Sequence, residues 1–135
     1  MMLKELNKNS NDHNEPKLIL SLTSFPKRIS TVHLTIQTLL KQTKMPDKII
    51  LWLFKEHPSE LICLLNDVFE IRWCDDLKSH KKYYYTFIEF PNDCIITVDD
   101  DCLYPPNIVE MLYNSYKKHP MAISTIRGRV IDWDE

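Results

Sequence analysis

Glycine is almost missing from this chain: of its 135 residues, Gly128 is the only one. Glycine-rich phosphate loops need several, because a backbone without Cβ can close its N–H groups around a phosphate. A Walker A loop and a dinucleotide fingerprint are excluded on that ground. Long apolar runs are lacking too. None approaches the about 20 residues that span a bilayer, so no transmembrane segment is expected. Met1 to Glu15 is polar and asparagine-rich, without the apolar stretch of a secretory signal. Charge of one sign is also missing. A formal net charge of −2 gives no field that draws the chain to nucleic acid or to a membrane in bulk. The four cysteines, at 63, 74, 94 and 102, form no C-x-x-C pair and match no zinc spacing. They read as reduced, buried thiols of a cytosolic protein.

What is present is alternation. Leu18–Leu22, Ile49–Phe54, Phe69–Trp73, Cys94–Val98 and Met121–Ile126 are short apolar or alternating runs, the pattern of strands. Between them, apolar residues recur at helical spacing. Val32, Ile36, Leu39 and Leu40 form one such face, and Leu61, Leu64 and Leu65 a second. Tyr84, Phe87 and Ile88 are expected to face inward from a third helix, which Ser79 would cap. Ile108, Met111, Leu112 and Tyr116 line a fourth, opened by Tyr104-Pro-Pro106. Ser30 is a candidate cap for the first. Strict strand–helix alternation predicts an α/β fold: a mostly parallel sheet with helices on both faces. Residues 1–16 are expected to be a disordered polar leader, and 17–135 a single α/β domain.

The chemistry gathers where strands end. Asp99-Asp100-Asp101 directly follows the uncharged, β-branched run Cys94–Val98. In open α/β sheets, ligands bind at the carboxyl ends of strands. Adjacent carboxylates raise one another's pKa unless a cation shares them. Mg²⁺ and Mn²⁺ take one or two carboxylates together with substrate phosphates. A divalent metal holding a phosphorylated ligand is the expectation, against the plainer alternative of a solvated acidic turn. Thr23, Ser24, Lys27 and Arg28 follow the first strand, and Asp75 and Asp76 follow the third. All three loops can share one sheet edge. The basic cluster Lys78, His80, Lys81 and Lys82 is the second signal. Without glycines, a diphosphate must be neutralised by metal and cationic side chains, and these lysines, on the first turn of a predicted helix, suit that task; the plainer alternative is an exposed charged face that pairs with Asp75 and Asp76.

Four blocks in this order resemble a known family. They are Leu22-Thr-Ser-Phe-Pro-Lys-Arg-Ile29, Leu39-Leu-Lys-Gln-Thr43 with Pro46-Asp-Lys-Ile49, Asp75-Asp-Leu-Lys-Ser-His-Lys-Lys-Tyr83, and Ile96-Thr-Val-Asp-Asp-Asp101 with Tyr104-Pro-Pro106. From Leu18 to about Val130 the chain resembles glycosyltransferases of the GT-A fold, family 2-like, of the bacterial surface polysaccharide type. The resemblance implies a Rossmann-like nucleotide-diphospho-sugar transferase fold, cut short on its C-terminal side. It implies a metal-dependent sugar transfer from a nucleotide sugar, a UDP-sugar by preference, to a glycan or lipid-linked acceptor.

The nucleotide-sugar residues it implies are Thr23, Ser24, Phe25, Arg28, Asp75, Lys78, Lys82, Asp99 and Asp100. Within that set, the loop from Thr23 to Arg28 and Asp75 would hold the base, and Asp99 would meet ribose or sugar. Asp99 and Asp101 would hold Mn²⁺ or Mg²⁺. Family members continue past this length into the part that supplies the base of inverting enzymes. The catalytic base is therefore expected outside this chain, because Asp132 and Asp134 come too early. The alternative is a non-catalytic module that binds nucleotide sugar and metal and needs further residues or a partner chain. A cytoplasmic protein, or one peripheral at the inner membrane face, follows from the resemblance. Self-association through an exposed sheet edge is the one oligomer expected.

Overall fold

The computed structural model describes residues 15–128. Most of the expected leader, and the late carboxylates Asp132 and Asp134, lie outside the described residues. Four strands form one sheet: β1 (Leu18–Thr23), β2 (Lys48–Leu53), β3 (Phe69–Trp73) and β4 (Cys94–Thr97). Their order is β3-β2-β1-β4, and every pairing is parallel. The helices are α1 (Val32–Leu39), α2 (Tyr84–Glu89) and α3 (Ile108–Lys118), with 3-10 turns at Ser59–Leu64 and Lys78–Lys82. The α/β architecture with a parallel sheet is as the alternation predicts. No helix among the described residues is long and apolar enough to cross a membrane.

Side chains alternate across a strand, and this divides the core. Leu18, Leu20 and Leu22 of β1 share one face with Ile49, Leu51 and Leu53 of β2 and with Cys94 and Ile96 of β4. Against that face pack Val32, Ile36 and Leu39 of α1, Leu61 of the 3-10 turn, and Ile108 and Val109 of α3. The opposite face carries Ile19, Ile50 and Trp52 and is covered by Tyr85 and Phe90. Burying each such aliphatic side chain contributes about 1.5–3 kcal/mol. Two aspartates fix where the sheet starts. Asp47 accepts the N–H of Leu18 at 2.8 Å, and Asp93 accepts that of Lys17 at 3.0 Å. Both lie in turns expected from Pro46-Asp47 and Pro91-Asn92-Asp93.

Several local expectations are corrected. Met121–Ile126 is not a strand: Met121 and Ile123 are almost wholly exposed, and no strand pairs with the free edge of β4 among the described residues. Strand propensity expresses a fit to a half-buried surface, and here no such surface is offered. The helix after Asp76 does not begin at Ser79. Lys78–Lys82 makes a separate 3-10 turn, and α2 is six residues long. Its inward residue is Thr86, fully buried, while Tyr84, Phe87 and Ile88 are exposed. The reason is polar. Trp52 Nε1 donates to Thr86 Oγ1 at 2.7 Å, and Ser21 Oγ lies 2.6 Å from the same atom. Buried donors must find acceptors, and that demand rotates the helix against its aromatic pattern. Neither Ser30 nor Ser79 caps: the residues before α1 and before the 78–82 turn are Thr31 and Leu77, and neither makes a side-chain cap bond. The four cysteines are free, but only Cys94 is buried and Cys63 is exposed.

Candidate binding site at the carboxyl ends of the strands

The chain steps from β1 to β2 to β3 in one direction, then returns to place β4 on the other side of β1. β1 and β4 are thus neighbours at the point where the strand order reverses, and such a point is where open parallel sheets leave a crevice. Ser24, one residue past β1, is 3% exposed, and Asp100, three past β4, is 6% exposed. They meet there. Ser24 Oγ donates to Asp100 Oδ2 at 2.7 Å, and Arg28 Nη1 donates to Asp100 Oδ1 at 2.8 Å. The bond to Asp100 holds the guanidinium of Arg28 above its ordinary pKa.

The neighbours of Asp100 face the other way. Asp99 and Asp101 are exposed. Asp99 Oδ1 accepts from Lys82 Nζ at 3.0 Å, and Asp101 Oδ2 lies 3.3 Å from Arg28 Nη1. The aspartate run and the lysine-rich turn, far apart in sequence, are thus in direct contact. From below, α1 pins the loop. Thr35 Oγ1 lies 3.0 Å from the carbonyl of Asp100 and 2.8 Å from that of Cys102, one proton shared between two acceptors. Thr38 Oγ1 accepts the N–H of Tyr104, and Gln42 bonds Pro105 O and Val109 N. The N–H of Asp99 donates to the Tyr104 hydroxyl at 2.8 Å. Burial pushes that phenol's pKa up.

A cavity of about 800 Å³ opens over these strand ends. Of the expected nucleotide-sugar residues, Thr23, Ser24, Phe25 and Arg28 line it from the β1 side. Lys78 and Lys82 line it from the 3-10 turn, and Asp99 and Asp100 stand at the crossing. Thr23 does not offer its hydroxyl to the cavity; it donates to Trp52 O at 2.7 Å and ties β1 to β2. Asp75 does not line the cavity, whereas Asp76 does. Asp75 is exposed, and its carbonyl accepts the Tyr85 hydroxyl at 3.2 Å. Asp76 Oδ1 accepts the N–H of Lys78 at 3.0 Å, and Oδ2 accepts Lys78 Nζ at 2.9 Å. These bonds, first the one from the Lys78 side chain, hold the Asp76 carboxyl down at about 2.

Sequence reasoning passed over Glu56 and the polar face of α1, and it named Lys81 only as part of the basic cluster. Glu56 lies after β2 and lines the cavity, with Oε2 accepting the N–H groups of Phe54 and Lys55 at 2.7 and 2.9 Å. The spacing of Thr35, Thr38 and Gln42 on one side of a helix was the signal available for the α1 contacts.

As a metal site, the cluster offers Asp99, Asp101 and Cys102, whose ligand atoms lie within 4.8 Å of one another. Cys102 offers a thiol, a soft donor that hard oxygen-seeking ions do not favour. Two carboxylates remain. That donor set fits Mg²⁺ or Mn²⁺, which complete their shells with water and phosphate, though exposed acids also cluster with no ion at all. No protein-family model matches the chain, and no curated protein matches it.

Proposed function

We propose that this chain is the donor-binding part of a metal-dependent glycosyltransferase of the GT-A type, holding a nucleotide sugar, by preference a UDP-sugar, over the ends of β1 and β4. One observation carries the reading. Asp100 is drawn inward by Ser24 and Arg28 at the crossing point, which leaves Asp99 and Asp101 exposed; Asp99 lines the cavity beside Lys82, and Asp101 stands outside the lining, beside Arg28. Two exposed carboxylates, each held by a cation, can pass to a metal while those cations pass to a diphosphate. Asp99 and Asp101 would hold Mn²⁺ or Mg²⁺, and the ion would supply Lewis-acid stabilisation of the departing diphosphate. Arg28 and Lys82 would then be released from the acids to the phosphate oxygens. Phe25 and Ile29 give the cavity an apolar flank against which a base can lie.

The cavity carboxylates also favour a second reading, that of a module which binds and does not transfer. Asp76, Asp99, Asp100 and Glu56 are each engaged by a cation or by backbone N–H groups. None of them stands ready as a general base. Titration calorimetry with UDP and Mn²⁺ tests the shared core of both readings: saturable binding that needs both components is expected. Heat indistinguishable from dilution, with either nucleotide or metal omitted or with both present, would retire them together. Transfer of radiolabelled sugar to a glycan acceptor separates the enzyme from the module.

A further inference from the structure

We infer that Lys81 is the fixed anion anchor of this cavity, taking a phosphoryl oxygen of the ligand, and that Asp76 is the positioning residue that holds the anchor's turn in place. The identity of the nucleotide rests on the reading above; the anion does not. The side chain of Lys81 is 4% exposed, yet it lines the cavity. A buried ammonium is costly unless it is paired and hydrogen-bonded, and it carries three donors. Asp76 Oδ1 lies 3.4 Å from Lys81 Nζ, and no other carboxylate pairs with it among the described residues. Nor does Asp76 belong to Lys81 alone. It takes both the backbone N–H and the Nζ of Lys78. One carboxylate serves two ammonium groups, which leaves positive charge in excess at the cavity wall.

The three lysines of the turn differ in kind. The Lys78 side chain is 85% exposed. Lys82 is occupied by Asp99. Lys81 is the desolvated one, held on a turn that packs against both β1 and β2. A cation already stripped of water and fixed in place loses little on binding an anion. The turn itself is under constraint. Lys78 has φ 53°, a left-handed conformation suited to glycine, and its N–H is tied to Asp76.

The test uses the full chain and three probes: inorganic pyrophosphate, UDP with Mn²⁺, and uridine. Lys81→Met removes the charge in a shape that suits burial. It is expected to weaken pyrophosphate binding at least about tenfold, the loss of one charge-assisted hydrogen bond, and to leave any uridine binding unchanged. Unchanged pyrophosphate affinity in the folded variant overturns the anchor, as does a wild-type chain that binds no pyrophosphate. Independently of any variant's folding, the Lys81 side-chain ammonium resonance should move when pyrophosphate is added; a stationary signal overturns the anchor equally. Asp76→Asn decides the positioning role. Weaker pyrophosphate binding supports it, while tighter binding shows that the carboxylate merely competes with the anion. Lys81-dependent pyrophosphate binding without UDP–Mn²⁺ binding retires the nucleotide-sugar reading and keeps the anchor. UDP–Mn²⁺ binding indifferent to Lys81→Met does the reverse.

Discussion

Two acidic runs follow strands in this protein, Asp75-Asp76 after β3 and Asp99-Asp100-Asp101 after β4, and they are resolved in the same way by different means. In each run the acid three residues past the strand is less exposed than the acid beside it, because the alternation of the pleat carries on for those residues after the ladder ends. Asp100 turns in to Ser24 and Arg28, partners more than 70 positions away. Asp76 turns in to Lys78, two positions away. The first arrangement is a tertiary lock, closed from below by Thr35 on α1. The second is a local clamp, a turn that shapes itself and then rests on the sheet. A tertiary lock responds to distant changes, whereas a local clamp responds mainly to charge.

Substitution breaks this contrast open, and the largest effect is expected at Asp100. Asp100→Ala leaves a buried Ser24 hydroxyl without its charged acceptor, a bond of the class worth about 1.5–3 kcal/mol, and frees the loop that presents Asp99 and Asp101. Chemical denaturation should show a loss of that size together with loss of UDP–Mn²⁺ binding. A variant as stable as the parent would mean that the lock holds nothing. Asp101→Ala comes next. It should abolish metal-dependent nucleotide binding and leave the unfolding midpoint where it was; unchanged affinity removes Asp101 from the metal site. Thr35→Val keeps shape and deletes the shared proton beneath the loop. It should cost about 1 kcal/mol and lower UDP–Mn²⁺ affinity a few-fold, measured by denaturation and calorimetry on one preparation.

The smallest effect is at the clamp, and it is one of pH. The Asp76 carboxyl is depressed from 3.8 to about 2, so the folded state favours its ionised form. The stability this supplies is present above pH 3.8 and is lost as pH falls through about 2. The melting temperature of Asp76→Asn should therefore lie below that of the parent at neutral pH, and the two should converge between pH 4 and pH 2. Parallel curves across that window would show that Asp76 contributes no charge-dependent stability.

Much of this was readable in advance, and the misses have causes. Strands β1 and β2 are runs buried on both faces of the sheet, β3 alternates apolar with charged residues, and such patterns need no distant information to be recognised. The aspartate run announced itself by standing after one of them. The inward face of α2 did not, because Thr86 is placed by the Trp52 indole on β2 and the Ser21 hydroxyl on β1. Met121–Ile126 has the residues of a strand and yet does not pair with the free edge of β4. Asp75 and Asp76 are indistinguishable as letters, and only the path of the chain out of β3 assigns one to the cavity.

By itself the amino-acid order determined an α/β alternation, a parallel sheet, the excluded glycine-rich phosphate loops, and the places along the chain where acids and lysines gather after strands. These follow from local periodicity and composition, which act over a few residues. Only the tertiary structure decided which of the three aspartates is buried, that Lys82 reaches Asp99, and that Lys81 among its neighbours loses its water. Burial and ion pairing are set by what the folded chain brings within a few ångströms, and in this molecule those partners come from three different strand ends.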